Sequence, residues 1–474
     1  MAWGPGLGGS GGRAVTTTRD QVGTELRRSL GRRQMTMLGL GSALGTGLFL
    51  GSGAAIGIAG PAVIVAYVIC AVIAGIISAC LAEMTARYPL RGAFGALCAR
   101  FLSPFAGYVA RWSYSAAAVI AVGSEVVAAA TYLRFWWPGL PMWVGVAVVA
   151  GIIVAINLVG VGSFGAVEFV LSSVKVIALS LFIVFGLLLV FVGLPRLDAV
   201  GVENLTGHGG FAPHGWAAVW QSMSIVIFGF VGIELVAISA PEAKDPRGAI
   251  EAAMRTLIWR LAFFYIAAVA IVLCVVPWTD AATGGGVRSS PFVQVFGAVG
   301  IPAAAAITNF LVLVAAVSAA NANLYGATRL INSLALDGMA PRILRATSGR
   351  GVPVAAVALA ATGTLVAAVL TMSGVADIYV LLTSVSMFGV LVTWLLILVS
   401  YLRFRDGAPR AGFAAKLGKP AALVGIAGVL AIVATAAAVH MMTMSLVIGL
   451  LFLLMLAGVY RAAGLHNRLP AATD

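Results

Sequence analysis

Three ionisable side chains, Glu125, Lys175 and Glu234, stand inside long apolar runs. A charge at mid-bilayer costs at least about 2.5 to 3.5 kcal/mol on insertion scales. Each must therefore either satisfy a buried polar neighbour or handle a proton or a ligand. Lys175 sits in Leu171-Ser172-Ser173-Val174-Lys175-Val176-Ile177, an otherwise weakly polar stretch. Withdrawal from water disfavours the charged form of an amine, which brings proton exchange near neutral pH within reach. Glu234 directly follows the glycine-interrupted run Phe228-Gly229-Phe230-Val231-Gly232-Ile233. It could anchor a break there by accepting N–H bonds, or alternate between protonated and ionised forms. Glu125 could support a cationic group on a ligand, or simply satisfy a polar neighbour.

A second glycine-interrupted run, Gly41-Ser42-Ala43-Leu44-Gly45-Thr46-Gly47, lies near the start of the chain. Membrane helices that come apart at such places free N–H and C=O groups for substrate and coupling ions, and breaks in a pair of helices mark carriers. The competing reading is close helix packing, for which membrane glycines are common. A segment unwound from Ser42 to Gly47 would turn N–H groups and a half-helix N-terminus toward a carboxylate. Thr46 would add a hydroxyl there, while Gly45 and Gly47 allow close backbone approach. The run from Phe228 to Gly232 would offer carbonyls to an ammonium, with Phe228 or Phe230 as an apolar lid. Cys70, Cys80, Cys98 and Cys274 fall at unrelated spacings with no CxxC pair, and His208, His214, His440 and His466 are scattered. No metal, cofactor or enzymatic residue set is expected from them.

These residues need a membrane scaffold to position them. With 61% hydrophobic and only 9% charged residues in 474, the chain lies outside the soluble globular range. Twelve apolar segments, near residues 35–56, 60–82, 107–133, 139–157, 169–191, 218–240, 256–277, 303–326, 354–372, 377–402, 421–440 and 442–461, predict an all-α membrane protein. The boundary between the last two, at His440-Met441, is the least sharply marked, leaving room for a tilted or re-entrant pair.

The net charge of +13 does not form a basic nucleic-acid-binding domain, because the cations fall in short blocks between segments. With the N-terminus inside, 25 of them lie on the inner side or its margins and only Arg134, Arg196 and Arg288 lie outside. The positive-inside rule then places both termini in the cytoplasm. Residues 1–34 read as a tail ending in the basic amphipathic stretch Glu25-Leu26-Arg27-Arg28-Ser29-Leu30, expected along the inner membrane surface, and 462–474 as a second tail. No cleavable signal peptide is expected, since the opening lacks an apolar core. Glu242, Lys244, Asp245 and Arg247 are expected to form a salt-bridged connection at the inner margin.

Several ordered motifs then resemble the amino acid, polyamine and organocation transporter superfamily, in its bacterial amino acid transporter branch. They include Gly39-Leu40-Gly41-Ser42-Ala43-Leu44-Gly45-Thr46-Gly47-Leu48-Phe49, Leu81-Ala82-Glu83-Met84 and Phe228 through Leu235 with Pro241-Glu242-Ala243-Lys244-Asp245-Pro246. Ser318-Ala319-Ala320-Asn321, Asp337-Gly338-Met339-Ala340-Pro341 and Arg350-Gly351-Val352-Pro353 extend it, so that residues 25–460 are covered.

The resemblance implies two inverted five-helix repeats, residues 35–191 and 218–402, followed by two helices within 421–461. It implies import of an amino acid across the plasma membrane by alternating access, commonly with protons, and partners limited to amino acid, protons and membrane lipid. Exchange of one amino acid for another fits the same features, and a receptor or scaffold fits them less well. Ser42, Gly45, Thr46 and Gly47 would hold the carboxylate. Phe228, Gly229 and Val231 would flank the amino end, Phe228 also gating. Lys175 would occupy the place of a sodium ion in sodium-coupled relatives, and Glu234 a family acidic position. Two departures stand out: Arg91 where the branch has a small polar residue, bearing on the inner gate, and Ser113-Tyr114-Ser115-Ala116 where aromatics are usual, which would widen the space near the site.

Overall fold

The computed structural model describes residues 30–193, 198–282, 290–298, 302–375, 378–407, 418–438 and 440–467. All twelve predicted segments fall on helix, and no β-strand occurs among the described residues. The first segment is divided into α1 (Arg32–Ala43), α2 (Thr46–Phe49) and α3 (Gly51–Ala59), and the second is α4 (Val63–Arg87). A short helix that the sequence reading did not anticipate, α5 (Ala93–Phe101), leads into α6 (Pro104–Leu133). The next two spans are α7 (Met142–Val159) and α8 (Val161–Phe191). The sixth segment is divided into α9 (Gly215–Val226) and α10 (Leu235–Ser239), and the seventh is α11 (Pro246–Val275). Two short helices, α12 (Trp278–Ala281) and α13 (Pro291–Ala298), precede α14 (Pro302–Leu336). The remainder are α15 (Val354–Ala360), α16 (Thr362–Met372), α17 (Ile378–Gly407), α18 (Gly418–Ala438) and α19 (His440–Ala462).

Among the described residues, eleven helical stretches are long and apolar enough to span a membrane. The difference from twelve arises at Gly51–Arg87, a 37-residue stretch that joins the end of the first segment to the second. Within it the chain turns at Gly60, whose φ of +61° suits glycine and whose missing Cβ would lie 2.5 Å from the Pro213 ring.

Burial sorts the helices into layers. The most apolar window of α6 is 72% buried, against 22% for each of the last two spans. Accordingly α6 runs through the centre against α14 and α17, while α18 and α19 pack on each other and on α17 at the rim. Helix α1 packs against α8, α11 and α14, and α4 against α11. Caps set two of the entries: Ser103 accepts from Ala106 N at 3.1 Å ahead of Pro104, and Asp245 accepts from Gly248 N at 3.3 Å ahead of Pro246.

The connection after α10 is held differently from expectation. Glu242 pairs with Arg329 of α14 at 2.5 Å and accepts from Tyr325 at 2.6 Å. Lys244 is exposed, Asp245 caps α11, and the Arg247 side chain lies outside the described residues. The reason is distance along the fold: α14 presents a cation to a buried carboxylate that the local sequence leaves uncompensated. Leu30, at the end of the stretch expected on the membrane surface, is buried instead and forms a parallel β-bridge with Ala243. Residues 1–29, and with them the rest of that stretch, lie outside the described residues, as do Arg196, Arg288, Arg410 and Arg468.

Candidate functional site

The two glycine runs both break their helices, and the breaks meet. α1 stops at Ala43, Gly45 is extended, and α2 begins at Thr46. In the second run α9 gives way to a 3-10 turn, Ile227–Phe230, then extended Val231 and Gly232 at φ +108°, before α10. Ser42 Oγ donates to Gly232 O at 2.8 Å, across 190 residues of sequence. A Cβ on Gly47 would lie 3.1 Å from Gly229 Cα, and one on Gly232 would lie 2.8 Å from the Ser42 carbonyl. Break and close packing are thus not alternatives here: the glycines pack because the breaks abut.

Tyr265 of α11 closes the junction and was not legible as a site residue, being one aromatic in an apolar helix. Its hydroxyl lies 2.6 Å from both Ala43 O and Gly229 O, one carbonyl from each break. A phenol has one hydrogen, so it is shared between them. Phe230 packs edge-on against Tyr265 with ring centres 5.0 Å apart and is completely buried. That assigns Phe230 to packing, whereas the Phe228 ring lies against Gly47 of the first break. Tyr265→Phe is expected to lower amino-acid uptake about three- to tenfold at unchanged expression, the worth of one hydrogen bond of about 1 kcal/mol. Uptake assays alongside thermal melting check it.

Glu125 of α6 reaches the first break directly. Thr46 Oγ1 donates to its Oε2 at 2.9 Å, and because that hydrogen is used, Tyr379 OH, 3.0 Å away, donates to Thr46. A Cβ on Gly45 would lie 3.1 Å from both Glu125 Oε1 and Ala319 Cβ. The carboxylate is therefore part of the wall of the break.

Lys175 of α8 donates to Gly41 O, the last full turn of α1, and to Ser318 Oγ of α14 at 2.8 Å. Gly41 is indispensable to this approach, because a Cβ there would lie 1.7 Å from Ser172 Oγ. Beside Lys175 is a residue absent from the sequence reading, Glu168, completely buried. It accepts from Ser318, from Ser172 at 3.1 Å and from Asn321 at 3.2 Å. The predicted fifth segment began at residue 169, which put Glu168 outside the membrane; α8 begins at Val161. The available signal was helical spacing, since residues 168, 172 and 175 share one face.

Glu234 has the geometry of an anchor. It accepts from Gly232 N at 3.0 Å, from Tyr114 OH at 3.4 Å and from Trp394 Nε1. At the Ser113 end of the small-residue stretch α17 packs closely on α6, Ser113 O lying 2.4 Å and Ala117 Cβ 3.0 Å from where a Cβ on Gly389 would be. Arg91 lines a small cavity with Arg329, Asn332 and Ser333 at the α14 end near Glu242.

A helical membrane bundle whose two broken helices meet around buried polar groups defines the class of secondary carriers. The amino acid permease family profile matches residues 34–467, and this chain belongs to that family. It is similar to the probable threonine/serine transporter YbxG of Bacillus subtilis (strain 168), 36% identical over 80% of this chain and 82% of that protein. It is also similar to the uncharacterized amino acid permease YtnA of the same organism, 33% identical over 95% and 98%. The aromatic amino acid transport protein AroP of Escherichia coli O6:H1 is 36% identical over 83% of this chain and 85% of its own. The chain is thus a multi-pass membrane transporter of amino acids rather than an enzyme.

Proposed function

We propose that this chain imports an amino acid across the plasma membrane by alternating access, driven by protons. The observation that carries the reading is the junction of the two breaks through Ser42, Gly232 and Tyr265, since a ligand spanning both breaks would bias the helices that carry them. The substrate carboxylate belongs at the first break, with Ser42, Gly45, Thr46 and Gly47 around it. The amino end belongs beside Phe228, Gly229 and Val231, next to the Gly232 carbonyl that meets Ser42 of the first break. Phe228 gates, Lys175 handles the proton, Glu234 holds the second break in shape, and Glu125 shapes the pocket wall. In this reading residues 35–191 and 218–402 are inverted repeats, and the pair within 421–461 is peripheral.

Two of the named relatives are called a probable threonine/serine transporter and an aromatic amino acid transport protein, so the substrate here is sought first among neutral amino acids. Counterflow in proteoliposomes across an amino-acid panel tests this. Counterflow of none sinks the carrier reading, and counterflow without net uptake under any gradient replaces symport with exchange. Topology is tested separately. Arg345→Cys is expected to label from the cytoplasmic side and Arg134→Cys from the opposite side, in a protein stripped of its four native cysteines, all buried. Reversed labelling would overturn the orientation.

A further inference from the structure

Glu168 has no place in that reading, yet it is the most densely hydrogen-bonded carboxylate beside Lys175. Asn157 of α7 donates to Asn321 Oδ1 at 2.8 Å, which leaves the Asn321 amide nitrogen turned on Glu168 Oε2. Ser172 and Ser318 take Oε1. Three donors thus converge on the two oxygens of this carboxyl group. Lys175 does not touch it. Instead its Nζ donates to Ser318 Oγ, whose single hydrogen points on to Glu168. The ammonium, hydroxyl and carboxylate form one continuous chain of hydrogen bonds between α8 and α14, and the amine's other contact is the Gly41 carbonyl of broken helix α1.

We propose that Glu168 is the counter-charge that sets the proton occupancy of Lys175, with Ser318 as the link through which a proton passes between them. In the transfer, Lys175 Nζ gives a proton to Ser318 Oγ as the serine's own hydrogen moves to Glu168 Oε1. Ammonium and carboxylate become amine and carboxylic acid, with no change in net charge. One further proton from solution makes ammonium plus carboxylic acid, a net charge of +1. Separation of α1 removes Gly41 O from Lys175 while leaving Ser318 and Glu168 in place, so helix position and protonation bias one another. The other titratable group close enough to act on Lys175 is Glu125 of α6; α1, α7 and α14 contribute Gly41 O, Asn157, Ser318 and Asn321, which do not titrate.

This rests on the proton-driven reading above and is tested apart from it. Wild type, Glu168→Gln, Lys175→Met and the double variant are reconstituted, and uptake under an imposed pH gradient is compared with counterflow at a series of pH values. Glu168→Gln is expected to lose about tenfold or more in gradient-driven accumulation and to shift the counterflow profile to lower pH by about one unit. The double variant should lose no more than either single one, because the two act as a unit. Wild-type accumulation with an unmoved profile, or losses that simply multiply, overturns the assignment. Should Glu168→Gln fail to fold, Ser318→Ala carries the same test: a displaced profile supports the link and an unmoved one overturns it. If wild type itself ignores the gradient, proton drive fails as a reading, and the counterflow profile alone decides the role of Glu168.

Discussion

Gly232→Val is expected to reduce substrate affinity at least about a hundredfold, the larger of two glycine effects at the junction. The residue sits at φ +108°, where a β-branched side chain is strained, and its Cβ would meet the Ser42 carbonyl carbon and oxygen at 2.8 Å, both main-chain atoms that cannot swing away. Strain of about 1 to 3 kcal/mol and overpacking of similar size add, and each 1.4 kcal/mol is tenfold in affinity. Relief requires the breaks to part, which also removes the bond from Ser42 to Gly232 O. Gly45→Val should be milder, since its neighbours are the Ala319 methyl and the Glu125 carboxylate at 3.1 Å. Gly151→Val, with open space around it on α7, serves as the control. Binding of a radiolabelled amino acid to purified, folded protein decides the matter: wild-type affinity in Gly232→Val would remove the junction as the binding site.

The sequence made much of this arrangement legible because local chemistry and global fold coincide in it. Apolar length fixes the spans, and glycine runs inside them locate both breaks. Glu125, Lys175 and Glu234 were each visible as ionisable groups that a bilayer does not tolerate without a partner, and Ser42 and Thr46 as members of the first break. The partners were not visible, because they come from helices distant in sequence. Trp394 reaches Glu234 across 160 residues and Tyr265 reaches Ala43 across 222. Nothing in an apolar run marks one tyrosine as the bridge between two breaks. Glu168 was lost for a different reason: hydropathy averages over a window, so a carboxylate near a predicted helix end is assigned to the loop. The serine-rich patch of α6 is ambiguous in turn, since small residues signal close approach without saying whether a ligand or another helix approaches. At Ser113 the approaching group is Gly389 of α17.

Lys175→Ala is expected to abolish accumulation driven by a pH gradient, by about tenfold or more, while leaving measurable substrate binding. Nζ donates to Gly41 O and to Ser318, so its loss removes the side-chain tie between broken helix α1 and α14 while leaving the packing of α1 on α8 and α14 and the first break itself in place. The protein that remains should still let substrate exchange across the membrane, with nothing to tie helix movement to a proton. The hazard is stability. Breaking a buried ion pair costs about 3 to 5 kcal/mol, and here Glu168 would lose the ammonium that balances its charge through Ser318. Lys175→Met keeps the stem volume, and Lys175→Arg keeps the charge while forfeiting deprotonation. If a proton must leave this position during the cycle, Lys175→Arg fails in gradient-driven accumulation as Lys175→Ala does, even though it folds. If Lys175 is only a fixed cation that ties α1 to α14, Lys175→Arg restores accumulation, and the proton moves elsewhere.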